Sequence, residues 1–356
     1  MEKIKIGIIG CGCIANAAHI PAYLNNPEVE IKYFCDILPE KAQAAVEKYG
    51  VGTAVEDYHV VLNDPEIAGV SICTPNRMHS VISCDALRAG KHVLCEKPAA
   101  RIYSEALEMQ KVQHETGKTL NIGVVNRFKA CTRDIKRRID NGDLGEVYHV
   151  YVSFRAHRSI PGLGGAFTTK AIAGGGALID WGVHYIDIVM YCLGDPQPLT
   201  VSGRQFCKLG VDMKNYVYKN MWSEVTKNVE TGTYDVDDSV TAFVRTKDSA
   251  AITIHGAWAQ NIGVSETYID FMGTKGGIRL QYGGNYTFYG TKDGQLIEET
   301  PEPFTDNMWH NEINAFVDSI KNGTKQPSHI DNVIITAKLM QGIYDSSDAN
   351  KEVSFE

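Results

Sequence analysis

The sequence predicts a parallel, doubly wound α/β domain over residues 1–124, followed by an α+β domain over residues 125–356 with a large open, mostly antiparallel sheet. Three observations carry this. The first third alternates short apolar runs with amphipathic helical stretches, the pattern of strand–helix–strand units on a parallel sheet. The first apolar run ends in a glycine turn that opens a helix. The second part carries a series of alternating strands instead.

The opening stretch sets the frame. Ile4 to Ile9 reads as a buried strand and runs into Gly10-x-Gly12-x-x-Ala15. This is the glycine pattern of a dinucleotide site: one glycine for the tight turn, one for close approach of a pyrophosphate, and a small residue for helix–strand packing. Gly10, Gly12, Cys13 and Ile14 are expected to form the cradle, with the N–H groups of the next helix facing the phosphates. A bare structural turn is the bland alternative, and the strand before and helix after weigh against it. The helix spans Ile14 to Leu24, and Pro21 is expected to kink or shorten it.

A second strand, Glu30 to Cys35, ends at Asp36, 21 residues past Ala15. That spacing suits a carboxylate on the ribose hydroxyls. It would repel a 2′-phosphate, and no arginine follows, so NAD is expected over NADP. Capping of the next helix, Pro39 to Tyr49, is a compatible second role. A short helix is expected over Asp57 to Leu62 and a strand over Ile67 to Cys73. The strand ends in Thr74-Pro-Asn76-Arg-Met-His79. Ligands bind at the carboxyl ends of parallel strands, so Thr74, Asn76 and His79 either reach the cofactor or cap the helix over Met78 to Ala89.

Lys91 to Cys95 is the next strand and ends in Glu96-Lys97-Pro98. A charged pair there is costly unless it is paired or functional. A lysine beside a cationic nicotinamide has its pKa lowered, which suits proton transfer. A surface ion pair that ends the strand is the alternative. A helix over Tyr103 to Thr116 and a strand over Thr119 to Val125 complete the domain.

Bulk composition narrows the class. The formal charge of −8 argues against a nucleic-acid partner, which needs a basic face. The nine cysteines form no disulfide-like framework, and Met1-Glu2-Lys3 leads directly into the first strand without an apolar leader. A reducing, cytoplasmic location is therefore expected. No apolar run approaches the roughly 18 residues that span a bilayer, so no membrane partner is expected.

Gly10-x-Gly12, Cys73-Thr-Pro-Asn, Cys95-Glu-Lys-Pro and Asn126-Arg-Phe, in this order and spacing, resemble the glucose–fructose oxidoreductase / inositol dehydrogenase / MocA (Gfo/Idh/MocA) family. The resemblance runs essentially the whole chain. It implies a Rossmann domain and a C-terminal domain whose open sheet carries substrate contacts and often the oligomer interface. It also implies hydride transfer between NAD and one hydroxyl carbon of a sugar, glycoside, inositol or related polyol. Glu96, Lys97 and Arg127 fall on motifs of the cofactor side, and Lys97 gains a catalytic role.

In the second part, a basic amphipathic helix over Cys131 to Asn141 precedes a strand over Glu146 to Phe154. Arg155 and His157 come next, ahead of a glycine-rich loop through Gly165, and either bond a polyhydroxylated substrate or are simply solvated. Gly174-Gly-Gly leads to an apolar helix from Ala177 to Leu193 that carries Asp180 and His184 on one face. By itself such a pair is more often structural than catalytic, and no further ligands suggest a metal. The resemblance places the family's Asp-x-x-x-His here, facing the nicotinamide with the motif lysine. His184 then acts as acid/base, Asp180 bonds substrate and sets the imidazole's electrostatics, and Lys97 bonds the reacting oxygen.

Strands are expected over 199–207, 236–245, 251–258, 267–271, 277–281 and 286–289, with a further one near Leu296. Residues 208–233 break the pattern with Tyr216, Tyr218 and Trp222 and read as a substrate lid or an oligomer arm. Trp309 and His310 open a helix over Asn311 to Ile320 and either pack there or enter the substrate pocket. A last helix runs from Asp331 to about Tyr344. The open sheet face needs cover, so a homodimer or homotetramer is expected. Two other functions stay open: a hydride-shuttle glycosidase without net redox change, and a non-catalytic sugar-sensing regulator.

Overall fold

The computed structural model describes residues 3–219, 228–247 and 250–355. The chain divides into two compact units: Met1–Lys129 with Asn307–Ile334, and Ala130–Asp306 with Ile335–Glu356. The units therefore differ from the two contiguous segments expected at 124/125. The helix Met308–Asn322 returns to the first unit because Ile313, Phe316 and Val317 share a core with Ile6, Ile8 and Phe34.

The first unit holds six strands: β1 (Ile4–Ile9), β2 (Val29–Cys35), β3 (Thr53–Val55), β4 (Ile67–Ile72), β5 (His92–Glu96) and β6 (Leu120–Gly123). All pair in parallel, in the order β3-β2-β1-β4-β5-β6. This is the Rossmann topology, with the strand order reversing between β1 and β4. The carboxyl ends beside that reversal carry Gly10, Asp36, Thr74 and Lys97, where a doubly wound sheet takes its ligand.

The second unit holds β7 (Val147–Arg155), β8 (Pro198–Phe206), β9 (Ser239–Thr246), β10 (Ala251–Ala257), β11 (Glu266–Gly273), β12 (Gly276–Gln281), β13 (Tyr286–Lys292), β14 (Gln295–Glu299) and β15 (Val353–Ser354). Their order is β14-β13-β12-β11-β7-β10-β9-β8-β15. Among the described residues only β7 and β10 pair in parallel, so the sheet is mostly antiparallel.

Strand alternation decides the two faces of this sheet. Val150 lies opposite Ile252 and Phe271, and this apolar face shares a core with Ile186, Val189, Leu339 and Ile343 from helices. The other face carries polar and aromatic residues, with Tyr151 ringed by His255 and Tyr268 and an Arg279–Asp270 ion pair. Among the described residues no helix is long and apolar enough to cross a membrane.

One expectation changes here. Val236 to Asp238 are not strand: β9 starts at Ser239, and the two aspartates turn to backbone N–H groups instead. The 208–233 excursion commits Tyr216 to a small core with Ile160, Leu163 and Trp258, where its hydroxyl accepts the Ile160 N–H. Trp222 lies outside the described residues.

Candidate active site

The cradle begins where β1 stops. Gly10 has φ +94°, and a Cβ there would sit 2.6 Å from the Cys73 carbonyl oxygen, so only glycine fits between β1 and β4. At Gly12 a Cβ would meet no protein atom within 4 Å. Packing does not demand glycine there; the space a side chain would fill is the space a pyrophosphate needs. The residues present therefore fit a dinucleotide. Cys13 is exposed and Ile14 half-buried on the rim, and Ala15 is fully buried. The helix opens with a wide i→i+5 turn, Ala15–His19, before its α-helical part Ile20–Leu24. Pro21 lacks an N–H, so the expected irregularity falls in the turn ahead of it.

Asp36 closes the cradle. One carboxylate oxygen accepts the Cys11 N–H at 2.9 Å and the other accepts the Leu38 N–H at 2.9 Å. The helix cap proper is Leu38. Each carboxylate oxygen retains a lone pair for a ribose hydroxyl.

At the ends of β4 and β5 the structure rearranges the expected roles. Asn76 opens a single 3₁₀ turn, Asn76–Met78, and the helix itself is His79–Arg88. Thr74 is half-buried at the turn. His79 is withdrawn from the cofactor surface: it is 1% exposed, with Nδ1 2.7 Å from the Pro98 carbonyl oxygen and Nε2 2.9 Å from that of Thr74. Burial pushes its ring below the ordinary histidine range, against the two carbonyl contacts. Glu96 is likewise internal. It ends β5 buried, with Oε1 2.8 Å from His19 Nε2 and Oε2 accepting the Lys97 N–H at 3.0 Å. Burial raises its pKa, but the His19 hydrogen bond and the charges around it outweigh this and hold the carboxyl below its usual range.

Lys97 is half-buried, and its bond to Pro98 is cis. Arg127, expected at the cofactor, is 1% exposed and donates to the Pro327 carbonyl, which ties the turn Val125–Phe128 to a later segment. Its burial follows from the return of residues 307–334 to this unit, which a linear reading does not show.

The second unit carries Asp180 and His184. Asp180 is 8% exposed, in a second wide turn, Leu178–Gly182, that runs into the helix Val183–Cys192. His184 is half-buried, with its ring 6.4 Å from that of Tyr282, which stacks on Tyr185 at 4.2 Å.

The start of this helix is held by Asp237, where the alternating pattern predicts strand. Its Oδ1 accepts the Gly176 N–H at 2.7 Å and its Oδ2 the Leu178 N–H at 2.9 Å, while the Tyr344 hydroxyl donates to Oδ1 at 2.8 Å. A Cβ on Gly176 would lie 1.9 Å from the Asp237 carbonyl oxygen, which explains the glycine run. Burial pushes the Asp237 carboxyl up, against the donors that favour its anion. The signal in the sequence was the acidic pair Asp237-Asp238 heading an apolar strand, the same anomaly that marks Glu96.

The remaining expected residues are placed as follows. Arg155 is engaged by Glu266 at 2.7 Å and Gln260 at 3.0 Å. The His157 N–H donates to Ser265. Trp309 packs on the core of the first unit, and the Asn307 side chain caps both Trp309 and His310. Among the described residues no group of three or more His, Cys, Asp or Glu can hold a metal. Glu312, also missed, is 1% exposed in the first unit, and among the described residues neither carboxyl oxygen has a hydrogen-bond partner. Burial, with the Glu96 charge second, pushes its pKa well above the carboxylate range.

Comparison with known proteins places this geometry. Residues 4–124 match the family model "Oxidoreductase family, NAD-binding Rossmann fold", and residues 132–279 match "GFO/IDH/MocA C-terminal domain". The chain is 30% identical to the D-glucoside 3-dehydrogenase of Escherichia coli K12 over 354 residues, 99% of this chain and 97% of that one. It is 28% identical to the levoglucosan dehydrogenase of Pseudarthrobacter phenanthrenivorans over 305 residues, 79% of this chain and 74% of that one. A solved levoglucosan dehydrogenase in complex with NADH and levoglucosan shares the fold at TM-score 0.85 and 22% identity, with 99% of both chains covered.

Two outcomes follow from the buried carboxyls. Asp237→Ala orphans two N–H groups and a hydroxyl and should cost about 2–4 kcal/mol in urea unfolding, with Asp237→Asn costing less. An Asp237→Ala protein as stable as wild type would remove the anchoring role. For Glu312 the sign is set by its raised folded-state pKa. The carboxyl is neutral in both states below about pH 4, and stability is lost as pH rises from there toward the folded value. Glu312→Gln should therefore raise Tm at pH 8 by about 2–4 °C or more and match wild type near pH 4. Equal Tm values at both pH values would show that Glu312 carries no such cost.

Proposed function

The chain belongs to the Gfo/Idh/MocA oxidoreductase family, and from that premise we propose that it is an NAD-dependent dehydrogenase oxidising a secondary alcohol of a glycoside at the 3-position. The observation that carries the substrate class is the end-to-end match with the D-glucoside 3-dehydrogenase. The carboxylate of Asp36, fixed at the cradle by the Cys11 N–H, supports NAD over NADP.

Oxidation of an alcohol removes a hydride from carbon and a proton from oxygen. Bound at the cradle, NAD supplies the hydride acceptor. Gly10, Gly12 and the first N–H groups of the following helix hold its pyrophosphate, and Asp36 holds the ribose. His184 takes the hydroxyl proton, since imidazole is the side chain best suited to general-base work at neutral pH. Asp180 orients the substrate and the imidazole. Lys97 donates to the reacting oxygen and stabilises negative charge as the proton leaves. In the reverse direction His184 returns the proton. Every group on the protein is unchanged after a cycle once His184 releases its proton to water.

A panel of methyl glycosides, free sugars and inositols with NAD or NADP, followed by nicotinamide absorbance, tests the reading. A glucoside should be oxidised with NAD, and kcat/KM should favour NAD over NADP by about 100-fold, or roughly 3 kcal/mol. Asp36→Asn, which keeps an acceptor for the Cys11 N–H, should narrow that ratio. Turnover with NADP alone refutes the role of Asp36, and no oxidation of any compound refutes the dehydrogenase. His184→Ala should lose at least about 100-fold in kcat while still binding NAD by fluorescence titration. Undiminished turnover would remove His184 from the mechanism.

A further inference from the structure

We propose that His19 and His79 are positioning residues for Lys97: one buried imidazole acts on the Lys97 N–H through Glu96 and the other on the Pro98 carbonyl, so that its ammonium leaves the sheet from a fixed backbone. The proposal rests on the dehydrogenase reading, which is what gives Lys97 a reacting oxygen to bind.

On the amino side, the clamp is a chain of three buried groups. The Lys97 N–H donates to Glu96 Oε2 at 3.0 Å, and Glu96 Oε1 lies 2.8 Å from His19 Nε2. An ionised carboxylate only accepts, so Nε2–H donates to it. In the neutral ring that leaves Nδ1 to accept from the Ser71 hydroxyl, 2.8 Å away. Ser71 sits on β4, paired with Ile8 of β1 and Leu94 of β5. The chain thus spans the three strands at the order reversal. His19 is the last residue of the wide turn that follows the cradle, so the element that receives the phosphates also fixes Glu96.

On the carboxyl side, Pro98 has no N–H, and its carbonyl is its only backbone hydrogen-bonding group. With its single N–H on Nδ1, the His79 ring donates to that carbonyl at 2.7 Å and sits with Nε2 2.9 Å from the Thr74 carbonyl oxygen. The ring is thereby wedged between the turn after β4 and the turn after β5.

His19, His79, Glu96 and Ser71 are at most 5% exposed, whereas Lys97 is half-buried. The imidazoles have no surface from which to meet a substrate. They act on the one residue of the segment that has.

A merely structural pair of histidines would lower stability when lost and leave Lys97 as it was. The test uses the full-length protein and the variants His19→Leu, His79→Leu and His19→Gln, the last keeping a donor toward Glu96. The first readout needs no substrate: acetylation of Lys97 by an N-hydroxysuccinimide ester, scored by peptide mass spectrometry against Lys111, whose side chain is 65% exposed. A released Lys97 segment should raise the Lys97/Lys111 ratio at least about fivefold in both leucine variants, and His19→Gln should restore it.

The second readout is kinetic. Glycoside oxidation should lose about 10- to 100-fold in kcat, the cost of an ångström-scale misplacement, with the KM for NAD little changed. Should a leucine variant not fold, Ser71→Ala removes only the outer hydrogen bond and should give a smaller rise in the same ratio. A ratio at the wild-type level in the folded variants overturns the clamp. If the wild-type protein oxidises no glycoside, the dehydrogenase reading fails, and the acetylation ratio still decides the clamp.

Discussion

One buried anion orders the first unit. Glu96 ends a strand of otherwise apolar character and is nearly closed to water. An ionised carboxyl in such a place costs on the order of several kcal/mol unless donors surround it. Three features around the strand reversal answer that cost. His19 faces inward at the end of a widened helical turn. The Lys97 N–H bends back to its own neighbour's carboxylate. Burial first and the Glu96 charge second push the Glu312 pKa up, which disfavours a second anion beside the first.

The second unit meets a similar problem with the same means. Asp237 is buried and collects the N–H groups of Gly176 and Leu178, both within four residues of Asp180. Donors from a helix start and one tyrosine hydroxyl stand in for water. Close approach of the backbone is then forced, which is why Gly176 tolerates no side chain. In both units a wide helical turn lies next to the buried acid's partners, consistent with the tendency of such turns to mark functional segments.

Much of this was legible in the sequence, and what was missed has a common cause. The parallel alternation of the first unit, the cradle at Gly10 and Gly12, and the strand series of the second unit all depend on periodicity and local turn chemistry, which are properties of neighbours in the chain. The residues whose roles changed depend on partners far away. His79 meets Pro98, Arg127 meets Pro327, and the helix of Trp309 returns to the first unit's core. Asp237 was hidden by strand periodicity that ran past the true strand start at Ser239. Glu96 and Asp237 were still visible in one respect. Each is an acid set against an apolar strand, and that cost implies an unseen partner even when it does not name one.

Such buried acids are weak evidence for stability, since hydrophobic replacements of the same shape often do as well or better. Their distinguishing property is directional. A carboxylate with two oxygens can take N–H groups from separate segments at once, which no apolar side chain can do. Glu96 joins the cradle's helix to the peptide of Lys97, and Asp237 joins β9's approach to the turn that carries Asp180. Lys97 and His184, the side chains proposed for the chemistry, lie beyond these joints and are more exposed than the acids. A backbone fixed below a more exposed side chain suits hydride and proton transfer, because misplacement by an ångström costs rate long before it costs folding. The buried acids are therefore better understood as setting geometry than as adding stability.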